Sequence, residues 1–462
     1  LKINGKSISK LRVTVMGLGL HGGGLASALF FARRGARVTV TDIREREELL
    51  SSIEKLAGYD IRYVLGRHNE DDFIHTDMVI KNPGVTADSP FVRAARTHNV
   101  PVESDISIFL SLCNNPLIAV TGSKGKSTTV SALFHCLRAH NPRTRLGGNI
   151  TVSPLTFVEE LGEDDPVILE LSSWQLADLK GNKRFMPKIA IITNILPDHM
   201  NRYANMEEYV ADKKIIYANQ TRDDFSIFNF DDPYCLEFLR ESKAGRLVFS
   251  ANPLPDEMAG AWLEQGNGYA RIENGARVHL LGKKLSVMGN HNRLNLLCAG
   301  LGLYLFGLAP NFIRKNLAGF PGIEHRLEKV REKQGVSFYN DSAATIPQAV
   351  VAAINSITAP LVLITGGTDK NIDFSPLRTI VRKPRTIILL QGTATQKIIA
   401  ILEEAEVSYL GPFRDLKAAV DCAVEHALSG TAVVFSPGCA SFGMFLNEFD
   451  RGKKYKTIVE SL

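Results

Sequence analysis

The sequence predicts an α/β protein of three domains, and three observations carry that prediction. At "LRVTVMGLGLHGGGLASALFFARRGARVTVTD" (11–42) an apolar strand runs into glycines, then a helix, then a second strand. Strand, glycine-rich turn and helix recur at "PLIAVTGSKGKSTTVSALFHCLRAH" (116–140). A third block holds four apolar runs, "VSFYNDSAAT", "APLVLITGG", "RTIILLQG" and "GTAVVFSPG", each closed by a Gly, Ser, Asp or Thr cluster. Short apolar runs bounded by turn residues are the pattern of strands buried on both faces of a parallel sheet. The outer blocks read as Rossmann-like, and the central one as a P-loop mononucleotide-binding domain. The expected domains are 1–104, 105–322 and 323–462, a division that suits 462 residues.

Composition excludes several classes. Lys+Arg 54 against Asp+Glu 49 leaves a net +5, too dilute for a nucleic-acid groove. "DIREREELL" (42–50) mixes signs and reads as a solvated helix face. No window approaches 18 uninterrupted apolar residues, and no signal-peptide apolar region opens the chain. The expectation is a cytoplasmic protein with neither membrane nor nucleic acid as partner. Six cysteines, Cys113, Cys136, Cys235, Cys298, Cys422 and Cys439, show no C-x-x-C spacing. They read as reduced thiols without a zinc site or a disulfide framework. "SANPLPDEMAGAW" (250–262) reads as a loop.

In the first block, Gly17, Gly19 and Gly22 precede a helix, and Asp42 follows at the end of the next strand. That is the dinucleotide fingerprint, which fits NAD. A βα turn holding a different phosphate ester fits the same residues. In the second block, Walker A would read G-x-x-x-x-G-K-[ST], but only Ser123 and Lys124 separate Gly122 from Gly125. The turn still aims backbone N–H groups and a helix N-terminus at one point, which suits an anion. Lys126 adds positive charge, and Ser127 or Thr128 offers a hydroxyl to Mg²⁺.

Glu170 closes one apolar run, and Asp198 and His199 follow another. Beside a P-loop they could hold Mg²⁺, while a lone histidine is more often structural than a ligand. Lys213, in "EEYVADKKIIYANQ", reads as a solvated helix lysine. Cys439 in "SPGCASF" has no activating histidine at a readable position and is not taken as a nucleophile.

Together these stretches resemble the Mur ligase family, ATP-dependent amide-forming enzymes of peptidoglycan precursor synthesis. The resemblance covers nearly the whole chain. It is carried by "TGSKGKST", "LGGNI" (146–150), "LELSSWQL" (169–176), "NILPDHMNRY" (194–203), "GNHNRLN" (289–295), "GIEHRLE" (322–328), "YNDSAAT" (339–345), "GGTDK" (366–370) and "SPGCASF" (436–442). Order and spacing resemble most the branch that adds D-glutamate to UDP-N-acetylmuramoyl-L-alanine. The short P-loop is the family's own form.

The resemblance implies ATP, two Mg²⁺ ions and a carbamylated lysine at Lys213, which reverses the solvated reading. It implies a monomer serving cell-wall biogenesis, cell shape and division. It assigns Gly122, Ser123, Lys124, Gly125, Lys126, Ser127, Thr128, Asn292, Asn295, Arg326 and Asp341 to ATP, with His325 beside them. Ser127, Glu170, His199 and Lys213 are the implied metal ligands, and Lys126, Glu170, His199 and Lys213 the catalytic set. Leu18, Gly19, Asp42, Ile43, Arg44, Pro83 and Gly84 are implied for the uridine diphosphate, and Asn149, Ser172 and Gln175 for the muramoyl-alanine part. Thr345, Lys370, Ser441 and Phe442 are implied for the incoming amino acid. The chain departs from the family pattern at Thr151, Trp174, Ala343, Ile346–Pro347, Gly443 and Phe449. Several of these lie near the amino-acid pocket, where L-glutamate or D-lysine stands as the alternative to D-glutamate.

Overall fold

A computed structural model describes every residue except 4, 20–21, 87, 151, 199–201, 273–274, 371 and 442. It divides into two compact units. One is Leu1–Lys283 with Leu294–Leu317, and the other is Lys284–Arg293 with Ala318–Leu462. Among the described residues no helix is long and apolar enough to cross a membrane.

In the first unit, β1 (Lys2–Ile3) and β2 (Lys6–Ser7) form a short antiparallel pair. A parallel sheet follows, of β3 (Arg12–Met16), β4 (Arg37–Asp42), β5 (Ile61–Leu65), β6 (Met78–Lys81) and β7 (Val102–Glu103), ordered β5-β4-β3-β6-β7. All of β3 after Arg12 is buried, as its apolar run requires of a strand covered on both faces. The helix Gly23–Ala32 lies so close to β3 that a Cβ on Gly24 would sit 2.0 Å from the Gly17 carbonyl oxygen. Only glycine allows that approach.

The same unit carries a nine-stranded sheet. It contains β8 (Leu117–Thr121), β9 (Arg145–Gly148), β10 (Val167–Glu170), β11 (Ile189–Ile192), β12 (Phe225–Asn229) and β13 (Gly245–Ser250), then β14 (Gly260–Glu264), β15 (Asn267–Arg271) and β16 (Val278–Leu281). The order is β16-β15-β14-β13-β12-β11-β8-β10-β9, with β8 paired in parallel to both β10 and β11. The stretch 250–262, expected as a loop, is corrected at both ends. Ser250 closes β13, and Gly260, Ala261 and Trp262 open β14, where Trp262 packs with Val248 and Leu254. Its prolines and glycines hid a strand held by that tryptophan's burial. One apolar core runs through both sheets' domains, through Phe30, Ile106, Phe109, Leu155, Phe157 and Leu171. At ~1.5–3 kcal/mol for each large side chain buried, this shared core accounts for the two domains forming one unit.

In the second unit, β17 (Glu328–Lys333), β18 (Val336–Asn340), β19 (Leu361–Thr365), β20 (Thr386–Leu390), β21 (Leu410–Phe413) and β22 (Ala432–Phe435) are ordered β17-β18-β22-β19-β20-β21. The edge strand β17, "EKVREK", runs antiparallel, and its charges suit a solvated edge. The last helix, Glu448–Ser461, is capped by the Asn447 side chain and buries Arg451, Tyr455 and Val459 on one stripe.

Candidate active site

Ligands in parallel α/β sheets bind beyond the C-terminal ends of the strands. The short P-loop leaves β8 there, and the helix Lys126–His140 starts directly after Gly125. Gly125 has φ 86°, and a Cβ on it would lie 2.5 Å from Asn295 Oδ1, so the loop and Asn295 are packed against each other. On one flank, Ser123 N donates to Asn194 O (2.8 Å) and Lys124 N to Asn194 Oδ1 (2.9 Å). Lys124 Nζ pairs with Asp198 at 3.0 Å. Lys126 Nζ folds back onto the carbonyls of Gly122 (2.8 Å) and Ser123 (3.0 Å). Ser127 and Thr128 are half-buried in the first turn of the helix.

Lys213 is buried, which corrects the reading of it as a solvated lysine. It sits on the helix Met206–Lys214, whose N-cap Asn205 accepts from Glu208 N. Nζ donates to Gly122 O (3.0 Å) and Thr121 Oγ1 (3.3 Å). Burial, and then the charge of Lys126, push the amine's pKa down to about 7, against the smaller pull of Asp198 and Asp212. It therefore carries a large neutral fraction at neutral pH.

Glu170 ends β10 across from the P-loop and is 1% exposed. Its Oε1 accepts from Asn149 Nδ2 at 3.0 Å, while Oε2 is buried without a hydrogen-bond partner among the described residues. A buried carboxylate oxygen left unmatched is costly, and a hard divalent cation would satisfy it. Glu170 and Ser127 carry oxygen donors of the kind Mg²⁺ takes. A neutral amine at Lys213 also fits carbamylation, since only that form reacts with CO₂. His199 lies outside the described residues.

Ser172 and Gln175 turn out to be bound to each other. Ser172 caps the helix Ser173–Asp178, its Oγ accepting from Gln175 N (3.2 Å), while Gln175 Oε1 accepts from Ser172 N (3.0 Å). This is a capping box, and it shapes the chain directly after Glu170.

In the first domain, Asp42 is buried. It accepts from Gly19 N (3.2 Å) and Arg44 N (3.0 Å), and Arg44 NH1 lies 3.6 Å away. The carboxylate thus braces the loop carrying Leu18 and Gly19, while Ile43 is 71% exposed beside it. Across from Gly17 and Gly19 stands Asn82, whose Oδ1 accepts from Gly84 N (3.1 Å) in a turn that includes Pro83.

In the second unit, three strand-end loops meet. Asp341 accepts from Leu327 N (3.0 Å) and Ser436 Oγ (2.7 Å), and burial raises its carboxyl pKa to about 7. His325 is buried with φ 64°, and its Nδ1 lies 2.8 Å from Asn340 Nδ2. Arg326 and Lys370 are exposed, Thr345 half-buried and Ser441 buried. Phe442 lies outside the described residues. Asn292 Nδ2 is turned back to Met288 O (2.7 Å) in the first turn of its helix. Arg451 ties two of the loops together. Nε donates to Ser342 Oγ (3.1 Å), NH2 to Ser342 O (2.8 Å) and NH1 to Cys439 O (3.1 Å).

A hollow of about 990 Å³ lined by Lys183, Arg222, Lys243 and Arg246 lies at the N-terminal ends of β12 and β13. It is at the wrong edge of the sheet for the P-loop chemistry.

Three family models match the chain in order: "Mur ligase MurD-like, N-terminal domain" over 11–104, "Mur ligase middle domain" over 120–302 and "Mur ligase, glutamate ligase domain" over 325–439. UDP-N-acetylmuramoylalanine–D-glutamate ligase of Roseiflexus sp. is 40% identical, with 97% of this chain and 98% of that protein covered. The protein of that name from Borreliella afzelii is 42% identical, with 98% and 99% covered.

This chain is a member of the Mur ligase family.

Among solved structures, UDP-N-acetylmuramate-alanine ligase MurC of Thermotoga maritima matches with a TM-score of 0.61 at 19% identity, covering 98% of this chain and 100% of that one. MurF of Acinetobacter baumannii matches at 0.58 and 15%, covering 97% and 93%. These likenesses extend the agreement to the fold. Mur ligases are ATP-dependent, which implies ATP and Mg²⁺. Within the first unit, the Mur-type P-loop, Asn149, Glu170, Lys213 and Asn295 gather around one turn. Asn292, Arg326, Asp341, Thr345, Lys370 and Ser441 belong to the second unit. Arg451, Lys81, Asp178 and Arg202 were not singled out from the sequence. A lysine ending the apolar run "MVIK" was the one visible signal, because a charge in a buried parallel strand needs a partner.

Proposed function

We propose that this chain is an ATP-dependent ligase that joins D-glutamate to UDP-N-acetylmuramoyl-L-alanine, releasing ADP and phosphate, as a cytoplasmic monomer in peptidoglycan precursor synthesis. One observation carries the substrate pair: the match extends over 97–98% of the chain to relatives bearing that name. The chemistry then sets what the site must do. A carboxylate does not acylate an amine at neutral pH, because oxide is a poor leaving group. Transfer of the γ-phosphoryl group makes an acyl phosphate, and attack by the amine expels phosphate.

The loop Gly122, Ser123, Lys124 and Gly125 would wrap the phosphates, the Ser123 and Lys124 N–H groups fixing its shape through Asn194 while Gly125 and the helix N-terminus face the anion. Lys126 would exchange its two carbonyl partners for phosphoryl oxygens. Ser127, Glu170, His199 and a carbamylated Lys213 would hold Mg²⁺, two ions in all. Held there, Mg²⁺ would supply charge neutralisation for the transferring phosphoryl group. Carbamylation would turn Lys213 into an anion and release one proton. Asn292, Asn295, Arg326 and Asp341 would hold the rest of the nucleotide. Leu18, Gly19, Asp42, Ile43, Arg44, Pro83 and Gly84 would take the uridine diphosphate, with Asn149, Ser172 and Gln175 along the muramoyl-alanine. Thr345, Lys370, Ser441 and Phe442 would receive glutamate, Lys370 pairing with a carboxylate. D-Lysine would bring an ammonium to that lysine, a like-charge contact that a closed site disfavours.

The test is phosphate release with ATP saturating. Turnover requires both the UDP-sugar and D-glutamate, and D-glutamate outruns D-lysine and L-glutamate. Steady ATP loss without the UDP-sugar, or a D-lysine rate equal to that of D-glutamate, would overturn the assignment.

A further inference from the structure

The first sheet reverses its strand order between β3 and β6, so the crevice between the loops after these strands is where a ligand enters. One wall is the glycine loop after β3. The other is the turn 82–85, and the small hollow at their base is lined by Gly23, Gly24, Asn82 and Pro83. The hydrogen bonds of that turn lead out of its own domain. Arg202, from the segment after β11, donates to the carbonyls of Pro83 (3.2 Å), Gly84 (3.3 Å) and Val85 (3.4 Å). Lys81, at the end of β6, donates to Val85 O (3.1 Å) and pairs with Asp178 at 2.7 Å. Lys81 and Asp178 are 5% and 12% exposed at their side chains. Asp178 ends the helix whose Trp174 lies 4.1 Å beneath the Arg202 guanidinium.

We infer that Arg202, Lys81 and Asp178 are positioning residues that clamp the 82–85 wall of the uridine-substrate crevice from the central domain. The inference rests on the proposed reading of that crevice. A buried ion pair is weak evidence for stability, because desolvation opposes the attraction of its charges. Burial indeed pushes Lys81 down and Asp178 up, each opposed by the other. The pair does supply direction. Lys81 points a second donor at Val85 while Arg202 takes the same carbonyl and the two before it. Three consecutive carbonyls are thereby held on one side, and the turn meets the ligand in one conformation. Pre-ordering a binding loop lowers the entropy lost on binding, so loosening the clamp weakens UDP binding while the P-loop chemistry is retained.

The test uses Lys81→Met/Asp178→Leu, which replaces the pair by apolar groups without stranding a charge, and Arg202→Ala as the second variant. UDP binding to the full chain is measured by calorimetry, alongside steady-state kinetics and thermal unfolding. In both variants the Kd for UDP and the KM for the UDP-sugar rise about tenfold or more together, while the KM for ATP stays within twofold. A variant with normal ATP KM whose UDP affinity and UDP-sugar KM stay within twofold of wild type overturns the clamp, whatever its melting temperature. Failure of the wild-type chain to bind UDP at all overturns the reading of the crevice itself, and the clamp with it.

Discussion

Replacing Lys213 by methionine should make the folded protein more stable and the enzyme inactive. The amine's pKa is about 7 in the fold against 10.5 for an ordinary lysine. Each tenfold change in proton affinity is worth ~1.4 kcal/mol, so at pH 7 burying this lysine opposes folding by roughly 5 kcal/mol. Methionine removes that term but abandons two hydrogen bonds, to Gly122 O and Thr121 Oγ1. Losing them costs roughly 2–3 kcal/mol. The expected net gain is about 2 kcal/mol at pH 7. Between pH 7 and 10.5 the unfolded chain binds more protons at this site than the folded one does, so wild-type stability rises with pH there. The advantage of the variant should therefore be largest at pH 7 and below, and shrink towards pH 10.5. Urea unfolding in bicarbonate-free buffer reads this out through Trp174 and Trp262, both in the unit that holds Lys213. A loss of stability at pH 7 in Lys213→Met, or a gain independent of pH, would refute the reasoning. Full ligase activity would refute the role of the amine.

Two further substitutions test the packing of the sites. Gly125→Ala forces a Cβ into a left-handed backbone and to within 2.5 Å of Asn295 Oδ1. It should destabilise by roughly 2–4 kcal/mol and raise the KM for ATP at least tenfold. An unaltered melting temperature and ATP KM would show that the loop relaxes freely. Arg451→Met strands Ser342 O and Cys439 O, and should cost roughly 2–4 kcal/mol after the guanidinium's own desolvation is recovered. Because Ser342 lies three residues before Thr345, the KM for D-glutamate should rise more than that for ATP. Equal effects on both would mean that Arg451 acts only through global stability.

What was legible in the sequence was what local chemistry dictates. Gly122 and Gly125 around a strand-to-helix turn specify a backbone shape, and the apolar run before it specifies a central parallel strand. Asp42 was legible because its strand must end where its carboxylate can reach Gly19. Lys213 was not, since its burial comes from chain far away in sequence, and its own helix looks no different from a solvated one. Lys81 and Asp178 stand 97 residues apart, and Arg451 reaches Ser342 across 109. Contacts of that kind leave no spacing to read. Ser172 and Gln175 carry a local signal as well as the implied substrate role. S-x-x-Q before an apolar run is a helix-start signal, and their mutual cap explains both residues before any ligand is invoked.

The charges around the P-loop explain why such a site is kept although it is unfavourable in isolation. Three lysines, 124, 126 and 213, converge on a turn that the helix N-terminus already makes positive. The fold relieves the repulsion in three ways: Lys124 pairs with Asp198, Lys126 turns to two carbonyls, and Lys213 sheds part of its proton population. Across the same turn, Glu170 keeps one buried oxygen without a hydrogen-bond partner among the described residues. A core optimised for stability would hold neither a half-deprotonated lysine nor an unmatched carboxylate oxygen. Under the proposed assignment a divalent cation would satisfy the Glu170 oxygen, and an anionic phosphate at the turn would offset the positive charge that helps push the Lys213 amine down. Stability withheld from the fold would thereby be converted into affinity for a metal-bound nucleotide.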